Sequence, residues 1–137
     1  MRQLAEEAAR HEFSIPIARV MKLAETHLPG PVTPWRERAH EDSASNFDQL
    51  IEQFAFNKAG DLVWALLQTQ DLRITEERPF ALVQGDPEAG RKAIAELANN
   101  VYFAAELLAP YMPATSESVR KAVLANAKPE NLFPRLA

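Results

Sequence analysis

A chain of 137 residues, 47% hydrophobic and 25% charged, has enough apolar material for one core and too much for a disordered segment. It has no cysteine, which removes disulfides, cysteine-ligated zinc and thiol nucleophiles together. A formal charge of -4 and a sequence pI near 5.4 argue against a protein that coats nucleic acid through bulk charge.

Residues 1–7 carry charges where a secretory leader would need an uninterrupted apolar core, and no apolar run approaches the ~20 residues that span a bilayer. The expectation is an intracellular protein without a membrane partner, in the cytoplasm or in an organellar matrix. Residues 2–28 read as helical. One stripe holds Leu4, Ala8 and His11, another Ile17, Val20, Met21, Ala24 and Leu28. Ser14 before Pro16 suits a helix start, so a kink or restart is expected near Phe13 and Ser14. Prolines 29, 31 and 34 then force the chain out of the helix.

A second helical stretch is expected from Asp42 and Ser43, with Phe47, Leu50, Ile51 and Phe54 on one stripe that runs on through Leu62, Val63, Leu66 and Leu67 to a stop at Pro79. Gly60 inside it would mark close packing or a bend, because glycine costs ~1 kcal/mol against alanine in a helix. Asp86, Pro87 and Glu88 form a strong start: a capping side chain, a proline whose missing N–H is harmless there, and an acid at the positive end of the dipole. The stripe Ile94, Leu97, Ala98, Val101, Ala105 and Leu108 follows, until Pro110. Thr115 is expected to cap a last helix carrying Val119, Val123 and Leu124. No segment alternates with period 2, so the fold class is all-α: residues 1–137 form a single domain, an antiparallel bundle of four to five helices.

The chain has no glycine-rich phosphate loop, no His-x-x-x-His pair and no Gly-x-Ser-x-Gly elbow, so no catalytic or metal-ligating residue and no cofactor is assigned. His11, His27 and His40 are scattered, as surface or capping histidines are. Arg19, Lys22, Arg36 and Arg38 concentrate basic charge in the first forty residues, against Glu25 and Glu37. Trp64 falls on an apolar stripe and reads as core. Trp35, in a proline-rich connection beside arginines, suits either stacking on RNA or a partner, or packing across the first turn.

The last third of the chain carries its most specific words: Pro110-Tyr111-Met112-Pro113, Thr115-Ser116-Glu117, and Leu132-Phe133-Pro134-Arg135-Leu136. Upstream stand Phe56-Asn57-Lys58-Ala59-Gly60-Asp61-Leu62-Val63-Trp64 and Glu77-Arg78-Pro79-Phe80. From about Phe54 to Leu136 this set resembles the C-terminal anticodon-binding bundle of the methionyl-tRNA synthetases, class I enzymes. The resemblance implies a class I synthetase anticodon-binding type of bundle, methionine tRNA as partner, a class I catalytic domain in cis or in trans, no DNA, and a terminal segment that docks through Phe133 and Leu136. The family's ATP-site signatures, "H-I-G-H" and "K-M-S-K-S", do not occur, so this chain alone should be inactive in aminoacylation.

The resemblance also implies a tRNA-binding set. The family's "N-x-x-x-R" element keeps its arginine at Arg19 and has Ile15 in place of asparagine, while Phe80 stands where the family places a tryptophan that stacks on an anticodon base. Lys22 and Trp35 join Ile15, Arg19 and Phe80 as candidate RNA contacts. Arg19 can give a charge-assisted, bidentate contact to phosphate or a base edge, and Phe80 offers a π-face without an indole N–H. The alternative is a protein-interaction module of the same fold that no longer reads tRNA, which Ile15, Phe80 and the acidic balance favour.

Overall fold

The computed structural model describes residues 2–110 and 112–126, with side chains from Ile15 onward. The described residues form six helices in the order α1 (Arg2–His27), α2 (Arg38–Glu52), α3 (Phe56–Glu77), α4 (Pro79–Gly85), α5 (Pro87–Leu108) and α6 (Pro113–Ala125), with no strand. The all-α reading is correct. The segment Leu132 to Leu136 and Tyr111 lie outside the described residues, as do the side chains of Leu4, Ala8 and His11.

Helix α5 is the axis of the molecule and packs on α1, α3, α4, α6 and, more lightly, α2. Its expected stripe Ile94, Leu97, Ala98, Val101, Ala105 and Leu108 is buried, and so are Asn99, Phe103, Ala104 and Leu107, because helices surround it on most sides. Ile17, Val20, Met21 and Ala24 of α1, Phe47 of α2, Val63 and Leu67 of α3 and Val119 and Val123 of α6 pack into the same core; Trp64 packs half-buried against it. Two bonds fix the direction of α3 against α5. Asn100 Nδ2 donates to Gln70 Oε1 at 3.0 Å, and Arg73 Nη2 pairs with Glu96 Oε2 at 3.0 Å. Three residues forward in α3 match four residues back in α5, so the two helices are antiparallel.

Several local expectations need correction. Helix α1 continues through Pro16 without a restart; Pro16 is buried, and the packed stripe that follows it outweighs the lost backbone bond. Helix α2 begins at Arg38, four residues early, because the Glu37 N–H donates to His40 Nδ1 at 3.0 Å and so caps the first turn. His40 is thus a capping histidine, as expected. The stripe expected to run unbroken from Phe47 to Leu67 is cut at Phe54, whose φ of 58° places it in the left-handed region. Ala55 N–H bonds back to the Leu50 carbonyl at 2.8 Å, closing α2 with a Schellman turn. Phenylalanine there costs ~1–2 kcal/mol where glycine would cost nothing.

Pro79 does end α3, but it also starts α4, a seven-residue helix that the sequence reading missed. Arg78, at φ 46°, joins the two. Gly60 sits in open space: no atom lies within 4 Å of where its Cβ would be. The close approach belongs to Gly90, where an added Cβ would meet the Val83 Cγ2 at 2.5 Å and the Val83 backbone at 2.6 Å. Asp86 caps α5 as expected, Oδ1 accepting from the Ala89 N–H at 3.3 Å. Helix α6 starts at Pro113, two residues before Thr115, which is buried in the first turn and is not its cap. Ser116 Oγ donates to the Ala105 carbonyl at 2.5 Å and holds α6 on α5.

Candidate nucleic-acid interface

Ile15, Arg19 and Lys22 recur at i, i+4 and i+7, which is one stripe of α1, and all three are exposed, Ile15 by 53%. The buried residues Pro16, Ile17, Val20, Met21 and Ala24 occupy the opposite side, so core packing turns this stripe outward. Arg19 Nη1 pairs with Asp71 Oδ1 of α3 at 2.5 Å, both side chains remaining partly exposed. An exposed pair of this kind is worth ~0–1 kcal/mol, so a phosphate can take over the guanidinium at small cost. The remaining N–H donors of Arg19 have no other partner among the described residues.

Phe80, on α4, is 40% exposed. The Arg78 guanidinium lies 5.5 Å from its ring centroid, a cation–π contact that helps hold the ring. Buried Pro79 anchors the turn that carries them, and the Gly90–Val83 contact seats α4 against α5. Asp71 and Arg78 are seven residues apart, two turns or ~10 Å along α3, and α1 also touches α4. Arg19 and Phe80 are therefore each attached to the last turns of α3; no hydrogen bond, ion pair or ring contact joins them directly among the described residues.

Trp35 is held elsewhere. Its backbone N–H donates to Asn99 Oδ1 of α5 at 2.9 Å, and its indole Nε1 donates to Glu37 Oε1 at 3.2 Å. The ring is 37% exposed and borders a groove lined by Leu28, Pro29, Val32 and Ala95. Arg36 is drawn out of the basic cluster that the sequence suggests. It pairs with Glu106 at 2.7 Å and Glu41 at 3.2 Å and lies 5.2 Å from the Phe103 ring centroid. Its pKa is raised, chiefly by the Glu106 hydrogen bond, with burial opposing and Glu41 adding. Arg36 clamps the connection to α5, and the four early basic residues do not form one face.

The chain is 31% identical over 85 residues to the methionine–tRNA ligase of Lactococcus lactis and 28% identical over 95 residues to that of Chlorobium phaeobacteroides, covering 61% and 69% of this chain. Over about two thirds of its length, the chain is similar to part of the methionyl-tRNA synthetases. The matches span 13% and 12% of the two ligases, so the chain corresponds to a small part of each. No family model matches the chain, and no solved structure matches it closely enough to count.

Beyond the expected residues, the fold adds Arg78 and Asp71 to the surface around Arg19 and Phe80. Arg78 is legible in Glu77-Arg78-Pro79-Phe80 only once the left-handed turn is known, since in a continuous helix it would point away from residue 80. Asp71 has no local signal at all; it meets Arg19 across 52 residues. On the opposite edge of α3, Arg73 pairs with Glu77 at 2.7 Å and with Glu96 at 3.0 Å. Arg73 is raised and Glu77 lowered in pKa, each chiefly by their mutual hydrogen bond. No group of acids and histidines that could hold a metal ion occurs among the described residues, and no helix there is long and apolar enough to cross a membrane.

Proposed function

We propose that this domain contacts the anticodon arm of tRNA, methionine tRNA in the first place, and supports methionine attachment carried out by a class I catalytic domain in cis or in trans. It supplies recognition and no bond-making step. The observation that carries the reading is the exposure of Ile15, Arg19 and Phe80, the three positions that match the family's RNA-contacting elements. In the complex, Arg19 exchanges Asp71 for a phosphate or a base edge, Lys22 adds a phosphate contact, and an unpaired base stacks on Phe80.

With Ile15 in place of a polar reader and Phe80 in place of tryptophan, base reading rests on Arg19 and one aromatic platform, so binding is expected to be weak, salt-sensitive and poorly selective. On single-stranded loops the log–log salt slope should be about -0.7 per phosphate contact. Restoring the polar reader and the larger ring, with Ile15→Asn and Phe80→Trp, should raise discrimination for the methionine anticodon by ~1–3 kcal/mol. The assay compares wild type, the double replacement and Arg19→Ala on stem-loops that differ only in the anticodon. Binding to none of them, or binding that ignores Arg19→Ala while the fold is intact, would replace this reading with that of a protein-interaction module, which exposed Ile15 itself favours.

A further inference from the structure

The α2–α3 corner carries an exposed aromatic pair that the RNA reading does not use. Phe54 is 79% exposed and Phe56 47% exposed, with ring centroids 6.1 Å apart at 76°. Phe54 is unfavourable there twice over. It exposes a large apolar ring to water, and it occupies the left-handed end of a Schellman turn, where glycine or asparagine would close α2 at lower cost. Its ring contact with Phe56, worth ~0.5–1.5 kcal/mol, offsets only part of these two costs.

Charge tells which class of macromolecule suits this corner. Asp48, Glu52 and Asp61 flank it in sequence and are exposed, none has an ion-pair partner among the described residues, and Lys58 is the one cation between residues 48 and 61. A polyphosphate would be repelled by three unpaired carboxylates; a cationic surface would be attracted. Distance separates it from the RNA face as well. Phe56 opens α3 and Glu77 closes it, so Arg78 and Phe80 lie ~30 Å away at the far end of that helix. Arg19, through Asp71, and Arg78 belong to the other half of α3.

We infer that the Phe54–Phe56 corner is a protein-docking site, whose partner offers an apolar pocket rimmed by lysine or arginine. The aromatic pair fills the pocket, and Asp48, Glu52 and Asp61 meet the basic rim. Aromatic anchors of this kind carry much of the affinity of an interface, while the charged rim sets orientation and encounter rate.

The test uses two labelled amphipathic helical peptides with the same leucine face, one flanked by lysines and the other by glutamates. Their binding to the chain is measured by fluorescence anisotropy, with amide chemical shifts to locate the contact. The lysine-flanked peptide should bind at least tenfold tighter, shift residues 48–61, and lose at least tenfold in affinity with Phe54→Gly and with the pair Asp48→Lys, Glu52→Lys. Phe54→Gly should also raise Tm by roughly 2–6 °C by relieving the turn, so lost binding cannot be lost folding. Stem-loop RNA binding should be unchanged in the same variant. Equal binding of the two peptides, shifts elsewhere, or an affinity indifferent to Phe54 would overturn the inference. So would a drop in RNA affinity on Phe54→Gly, which would make the corner part of the RNA face, or a dimer in sedimentation that Phe54→Gly dissolves, which would make the occupant a second copy.

Discussion

Replacing either of two helical glycines by alanine should move stability in opposite directions, and the structure gives the size of each shift. At Gly60 an alanine Cβ meets nothing within 4 Å, so only the conformational term acts. Gly60→Ala should stabilise by ~1 kcal/mol. At Gly90 the same Cβ falls 2.6 Å from the backbone N and Cα of Val83, about 0.8 Å short of ordinary contact at 3.4 Å. A side chain could rotate away; the backbone of α4 must move instead. Overpacking costs ~1–3 kcal/mol, and the upper end applies here, so after the ~1 kcal/mol conformational gain Gly90→Ala should destabilise by ~1–2 kcal/mol. The two variants should therefore differ by ~2–3 kcal/mol in urea unfolding, or about 6–12 °C in Tm at this chain length. Because α4 carries Phe80, Gly90→Ala should also weaken stem-loop binding at temperatures where the fold persists, while Gly60→Ala should not. If Gly90→Ala matched Gly60→Ala in urea, α4 would not lie against α5 as described, and the placement of Phe80 would fall with it.

Arg36→Ala removes two partly exposed ion pairs and the contact with Phe103, and should cost ~1–2 kcal/mol in urea unfolding, part of it lost in high salt. Glu77 has its pKa held below the ordinary carboxylate value by Arg73, so its contribution is present above pH ~4.5 and is lost as pH falls through the depressed value. Glu77→Gln should then lie a few tenths of a kcal/mol below wild type at pH 7, and that gap should close as pH falls below the ordinary carboxylate range; a gap constant with pH would mean that the ion pair contributes nothing.

The chain's periodicity determined the parts of the fold that depend on near neighbours. Asp86-Pro87-Glu88 started α5, and the stripe from Ile94 to Leu108 named its buried side, because a capping bond and an apolar face are decided within a few turns. The same logic placed Ile17, Val20, Met21 and Ala24 inside and so left Ile15, Arg19 and Lys22 outside. Sequence could not supply the cut at Phe54 or the turn at Arg78. Both put a bulky residue in the left-handed region, against its own preference, because the helices on either side gain more by packing on α5 and α3 than the turn loses. Nor could it supply the pairing of Arg19 with Asp71 or the capture of Arg36 by Glu106, which join residues 52 and 70 positions apart. Which charges stay available to a ligand and which are consumed inside the bundle was settled only when packing brought distant helices together, since a local pattern fixes which face a side chain takes and only tertiary structure fixes what it meets there.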